Sequence, residues 1–128
     1  MFVYIPARSG SVRIKNKNIK TFYGKPILEI TIHNLQKLKF INQIFVSTDS
    51  TKIKKIAEKS GAKVLELRKK ELSNSKSGTM DLIKYDIPRY CKYQNDKNVL
   101  FVHSTSILVS SEIFYNCHKK FIKFKPDV

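Results

Sequence analysis

Acidic side chains are scarce here: 10 Asp and Glu stand against 25 Lys and Arg, a net charge of +15 over 128 residues. None of them forms a paired-carboxylate motif at the end of a predicted strand, so the chain offers no evident metal ligands. Cysteine is nearly missing. Cys91 and Cys117 lie far apart without metal-like or redox-like spacing, which predicts reduced thiols in a cytoplasmic protein. No apolar run is long enough to span a bilayer, and no basic start, apolar middle and small-residue cleavage site marks a leader, so no membrane partner is expected. Arginine is scarce as well, with 4 residues against 21 lysines. Readers of nucleic acid favour Arg for bidentate contacts, and here Lys is spread over nearly every segment rather than gathered in a stripe. A compositional drift toward Lys, Ile and Asn accounts for the charge, and no specific nucleic-acid partner is expected. Attraction for small anions follows from the charge all the same. Internal repeats, low-complexity blocks and domain boundaries are absent too, so residues 1–128 read as one domain with a real core.

What the chain does have is concentrated at its start. Phe2-Val3-Tyr4-Ile5 is a short apolar, β-rich run that reads as a buried strand. Then Ala7 to Asn18 brings small residues and four cations, Arg8, Arg13, Lys15 and Lys17, and apolar periodicity resumes only near Pro26. A strand therefore ends in a long basic loop that leads to a helix. In open α/β sheets that is where ligands bind. Small residues let main-chain N–H groups approach an anion, and cations supply charge. The loop is neither a Walker A motif, since no Gly-Lys-Ser/Thr follows Gly10, nor the three-glycine dinucleotide fingerprint. It reads as an anion or phosphate loop, or as a solvated basic surface loop. Its length favours the first, because long loops without structure of their own are usually functional or disordered.

The residues also carry a resemblance. Ile5-Pro6-Ala7-Arg8-Ser9-Gly10-Ser11, Arg13-Ile14 and Asn16-Lys17-Asn18-Ile19 resemble the opening motif of the CMP-N-acylneuraminate (sialic acid) synthetases and their pseudaminic and legionaminic acid relatives. Gly24-Lys25-Pro26-Ile27-Leu28, Val46-Ser47-Thr48-Asp49-Ser50, Gly61-Ala62, Leu67-Arg68 with Glu71-Leu72-Ser73, Ser77-Gly78-Thr79 and, more weakly, Thr105-Ser106 continue it in order. The resemblance implies a Rossmann-like nucleotide-diphospho-sugar transferase fold of three α/β/α layers. It also implies transfer of CMP from CTP to an acidic nine-carbon sugar, with release of pyrophosphate, for cell-surface glycans such as capsule or lipopolysaccharide. Arg8 and Lys17 match the catalytic grips on the triphosphate, and Asn18 with the Ser9-Gly10-Ser11 backbone completes that cradle. Arg68 and Thr79 match contacts on the cytidine side. The alternatives for those two are a surface ion pair with Glu71 and a helix cap.

Further along, Ile27 to about Lys39 shows helical spacing, with Thr21 to Pro26 as a turn into it. Gln43 to Thr48 reads as a second strand. Asp49 at its end is either near the nucleotide or, with more weight, the cap of a helix from Thr51 to Gly61. Lys63 to Leu67 reads as a third strand, with Arg68 at its end and a polar loop from Lys69 to Gly78 over the site. A helix from Thr79 places Met80, Ile83, Ile87 and Tyr90 inward, and Pro88 should kink or end it. Asn98 to His103 reads as a fourth strand. Ser110 or Ser111 caps a last helix with Ile113, Phe114, Cys117 and Phe121 inward, and Lys125 to Val128 approaches a further strand. The alternation β-loop-α-β-α-β-α-β-α predicts a mostly parallel sheet with helices on both faces.

The fourth strand end departs from the sialic acid enzymes, whose Gln-Pro-Thr-Ser-Pro-Leu-Arg is here His103-Ser104-Thr105-Ser106-Ile107-Leu108-Val109. His103 keeps a polar group for a sugar hydroxyl or carboxylate and is the expected substrate contact, with a general-base role as a lesser alternative. Members of the family are much longer. The acidic residues that hold Mg²⁺, and the segment that forms the homodimer, are expected beyond Val128. A non-catalytic CTP-binding remnant, a Kdo cytidylyltransferase and, last, a basic RNA-binding module remain the alternatives.

Overall fold

The computed structural model describes residues 1–124. Strand β1 (Phe2–Pro6) lies at the centre of a three-stranded parallel sheet, between β4 (Gln43–Ser47) and β5 (Val99–Phe101). Its pleat faces two cores. Val3 and Ile5 join Ile44 and Val46 on one face, while Phe2 and Tyr4 join Phe45 on the other. The first face is covered by α1 (Ile27–Gln36), α2 (Thr51–Lys59) and α5 (Ser111–Phe124), through Leu28, Ile32, Leu35, Ile53, Ala57, Phe114 and Tyr115. The second is covered by one helical stretch that begins at α3 (Thr79–Asp81), widens into a π turn at Leu82–Asp86 and closes as α4 (Ile87–Cys91). The three-layer α/β architecture read from the sequence is therefore present.

Several details differ. The stretch expected as a third strand touches the sheet by one bridge, Lys63 to Phe45, and returns at Arg68, whose N–H donates to the Thr48 carbonyl at 2.7 Å. Between those points it bows off the edge, because Glu66 and Leu67 face solvent and give no apolar reason to pair. Thr21 to Pro26 is a tiny hairpin of β2 (Thr21–Phe22) and β3 (Lys25–Pro26), not a plain turn. Tyr23 and Gly24 at its tip have φ of 46° and 77°, the positive pair that a tight hairpin of matching twist needs.

Pro88 does not end its helix. It has no N–H to give the carbonyl one turn back, and the π turn just before it absorbs the mismatch. That extra residue per turn rotates the helix face. Leu82, Asp86, Ile87 and Tyr90 point inward, whereas Met80 and Ile83 are exposed. In α5, likewise, Phe114 and Tyr115 pack against the core while Ile113 and Cys117 are exposed. The expected strand approach at Lys125 to Val128 lies outside the described residues.

Gly61 closes α2 with φ +91°, and a Cβ there would sit 2.5 Å from Gln36 Nε2. That amide already donates to the Ser60 carbonyl at 2.9 Å. Gly61→Ala is expected to destabilise the fold by about 1–2 kcal/mol, from left-handed backbone strain alone. An unchanged urea midpoint would count against this account of the helix end.

Candidate functional site

The carboxyl ends of β1 and β5 open into one cleft of about 550 Å³. Arg8, Arg13, Lys17 and Arg68 line it, and no carboxylate does. Four cations facing each other without counter-charge repel in the free protein, and an anion relieves that repulsion. The apolar part of the lining comes from Val12, Ile14, Leu72, Leu82 and Phe101.

The loop after β1 is held at successive residues. Ala7 N–H donates to the Ser47 carbonyl at 2.8 Å. The Arg8 carbonyl accepts from Asn18 Nδ2 at 2.7 Å. Ser9 donates its N–H to Asp49 Oδ1 and its hydroxyl to Asp49 Oδ2, each at 2.8 Å. Asp49 is thus a latch on the loop and not the cap of α2. The cap is Ser50, whose hydroxyl accepts from Ile53 N–H at 3.3 Å. Asp49 has a short side chain at a strand end, and the loop supplies two donors to it before the helix can.

The cleft brings Arg8, Ser11, Lys17, Asn18, Arg68, Thr79 and His103 together from four separate segments. Ser9 and Gly10 lie outside its lining, on exposed loop. Arg8 Nη1 donates to the Asn74 carbonyl at 2.6 Å and so ties the loop over the cleft to the loop after β1. Asn18 is buried at the end of the loop, in the 3₁₀ turn Lys17–Ile19, and its amide faces the protein. His103 packs edge-on against Phe101, with ring centroids 5.3 Å apart. Thr79 is exposed at the start of α3, where the carboxylate of Asp81 takes the Gly78 N–H.

Arg68 is the most telling residue. It is only 5% exposed, and its Nε and one Nη have no hydrogen-bond partner among the described residues. The alternative of an ion pair with Glu71 is not realised. A buried guanidinium without a partner is costly, and such groups mark strain or a ligand. Its neighbours are a buried polar cluster under the cleft floor. Asp86, fully buried, accepts from the Tyr4 hydroxyl and the Ser47 hydroxyl at 2.5 Å each, and from Arg89 Nη1 at 3.0 Å. Burial, then the charge of Asp86 beside it, pushes the Tyr4 hydroxyl far above the phenol range. Burial pushes Tyr90 up to about 12. Both hydroxyls therefore remain protonated at neutral pH; that of Tyr4 donates to Asp86, and that of Tyr90 has no partner among the described residues.

Mg²⁺, which the resemblance implies, does not fit the donors present. The cleft lining holds no carboxylate, and the described residues contain no cluster of three His, Cys, Asp or Glu. No helix among them is long and apolar enough to cross a membrane.

A family model described as Cytidylyltransferase matches residues 2–121. The chain belongs to the cytidylyltransferase family. It is 32% identical over 121 residues to a pseudaminic acid cytidylyltransferase of Campylobacter jejuni, covering 93% of this chain and 52% of that protein. It is 33% identical over 119 residues to an N-acylneuraminate cytidylyltransferase of Escherichia coli O18:K1:H7, covering 90% of this chain and 28% of that protein. This cytidylyltransferase chain thus spans about half, or less, of the length of these curated relatives. Among solved structures, a CMP:2-keto-3-deoxy-manno-octonic acid synthetase complexed with CTP aligns with a TM-score of 0.75 at 17% identity, over 94% of this chain and 46% of that one. A cytidylyltransferase from Leptospira borgpetersenii serovar Hardjo-bovis aligns at 0.73 and 24%, over 94% and 48%. At those identities the likeness speaks for the fold alone.

Some of this site had no local signal. Asn74 and Ser104 meet partners 66 and 86 residues away, so neither could be found by spacing.

Proposed function

We propose that this chain carries the nucleotide-binding part of a cytidylyltransferase that moves CMP from CTP to an acidic nine-carbon sugar. The observation that carries the reading is the cleft with four cations and no carboxylate, one of those cations buried and unpartnered. In the reaction a sugar hydroxyl attacks the α-phosphorus and gives up its proton to solvent, the bond to the bridging oxygen between the α- and β-phosphates breaks, and pyrophosphate leaves with the electron pair. Arg8 and Lys17 neutralise the triphosphate and hold it for in-line attack. Arg68 donates to acceptors on the cytidine side, and Thr79 offers a hydroxyl near them. His103, at the end of β5, is placed to bond a hydroxyl or carboxylate of the sugar. No step is routed through a metal. The names of the relatives, with pseudaminic and N-acylneuraminate enzymes both among them, support an acid-sugar acceptor.

A second reading, CTP binding without turnover, is favoured by the missing carboxylates in the cleft. One titration and one assay separate the two. Calorimetry with CTP is expected to show saturable binding, and Arg8→Ala and Lys17→Ala are each expected to weaken it about tenfold, the loss of one charge-assisted contact. Pyrophosphate release with pseudaminic or N-acetylneuraminic acid then reports turnover. Absence of saturable CTP binding would sink both readings.

A further inference from the structure

The end of β5 and the phosphate loop are joined by a buried relay. Thr31 on α1 donates its hydroxyl to the Ser104 carbonyl at 2.7 Å. Ser104, 2% exposed, donates its own hydroxyl to Asn18 Oδ1 at 2.6 Å. Asn18, 6% exposed, donates Nδ2 to the Arg8 carbonyl at 2.7 Å. Asn18 sits beside Lys17 and reaches back across the loop to Arg8, so its amide fixes the separation of the two cations. An amide rotor in a buried site has two orientations unless something chooses one. The Arg8 carbonyl can only accept and so takes Nδ2, and the Ser104 hydroxyl, donating to Oδ1, satisfies and anchors the other end of the amide.

We propose that Ser104 is a positioning residue for the phosphate loop, acting through Asn18 to hold Arg8 and Lys17 in register before a nucleoside triphosphate arrives. It touches no phosphate itself. It lies next to His103, so the relay also ties the sugar end of the cleft to the triphosphate end. This rests on the reading of the loop as the grip on CTP. Preorganisation of that kind acts on affinity by removing the cost of ordering the loop during binding.

The test is calorimetry of CTP and of CMP on the full chain and its variants. Ser104→Ala is expected to lower CTP affinity roughly threefold to tenfold, the ordering of one or two side chains, while CMP affinity stays at the parent value. Ser104→Cys keeps the volume with a weak donor and should fall in between, which covers the case in which the alanine variant does not fold. In a cycle with Asn18→Ala, the double variant should bind CTP no more weakly than Asn18→Ala alone. Equal losses for CTP and CMP, or additive losses in the cycle, would make Ser104 a structural residue only and overturn the proposal. Parent-like CTP affinity in both Ser104 variants overturns it as well and leaves the loop reading intact. A parent chain that does not bind CTP removes the loop reading, and this role with it.

Discussion

Replacing Arg68 with methionine is expected to cost at least about a hundredfold in CTP affinity while leaving the free chain as stable as the parent, or more so. The two halves of that expectation come from one fact. The guanidinium is buried under the cleft with two nitrogens that have no hydrogen-bond partner among the described residues. In the free chain a desolvated charge without a partner is unfavourable, and an apolar side chain of similar length in its place is neutral or stabilising. In the proposed nucleotide complex the same donors are expected to meet acceptors. A hydrogen bond to a charged group contributes about 1.5–3 kcal/mol, so losing two removes at least two decades of affinity. Thermal unfolding with and without CTP measures both halves at once. A variant that keeps the parent's CTP-induced shift would show that Arg68 faces nothing of importance. A variant whose unliganded melting point collapses would show that the guanidinium holds the fold, and the assignment to the nucleotide would go with it.

The contrast between Arg68 and its neighbours explains what was legible in the sequence. Short apolar runs located β1 and β4, which bury both faces, and three-to-four spacing located the helices, each of which buries one face on the sheet. The pattern failed where a neighbour changed the period. Met80 and Ile83 look inward on an ideal helix, and the π turn ahead of Pro88 turns them out and brings Leu82 in. The pattern failed again at Lys63 to Leu67, where an edge segment with Glu66 in it gains little from pairing. The basic loop after β1 was legible as a candidate anion site, through cations and small residues after a strand. What holds it was not. Asp49 reads locally as a helix cap, and only the fold brings Ser9 to it. Ser104 reads as one polar residue among several, and its meaning lies in Asn18, on the far side of the sheet's end.

Asp86→Ala is expected to destabilise the fold by about 3–5 kcal/mol, the range for breaking a buried charge pair from one side. Asp86 is fully buried on the π turn and accepts from Tyr4 on β1, Ser47 on β4 and Arg89 on α4. Removing the carboxylate leaves three donors facing a cavity, one of them charged. For a chain of this length the melting point should drop by about 10 °C or more. Asp86→Asn keeps the shape and one acceptor, so it should lose less than half as much. A loss below about 1 kcal/mol for the alanine variant would mean that water takes the place of the lost acceptor, and that the cluster is not a single unit. Asp86 and Arg68 then separate cleanly by experiment. Asp86 fastens the Thr79 helix to the sheet, so its removal lowers stability first and CTP affinity second. Arg68 is buried beside the same cluster and lines the cleft, so its removal lowers affinity and spares stability. If both variants shifted both quantities equally, the cluster would be one structural plug, and the cleft would lose the buried cation on which its reading as a nucleotide site depends.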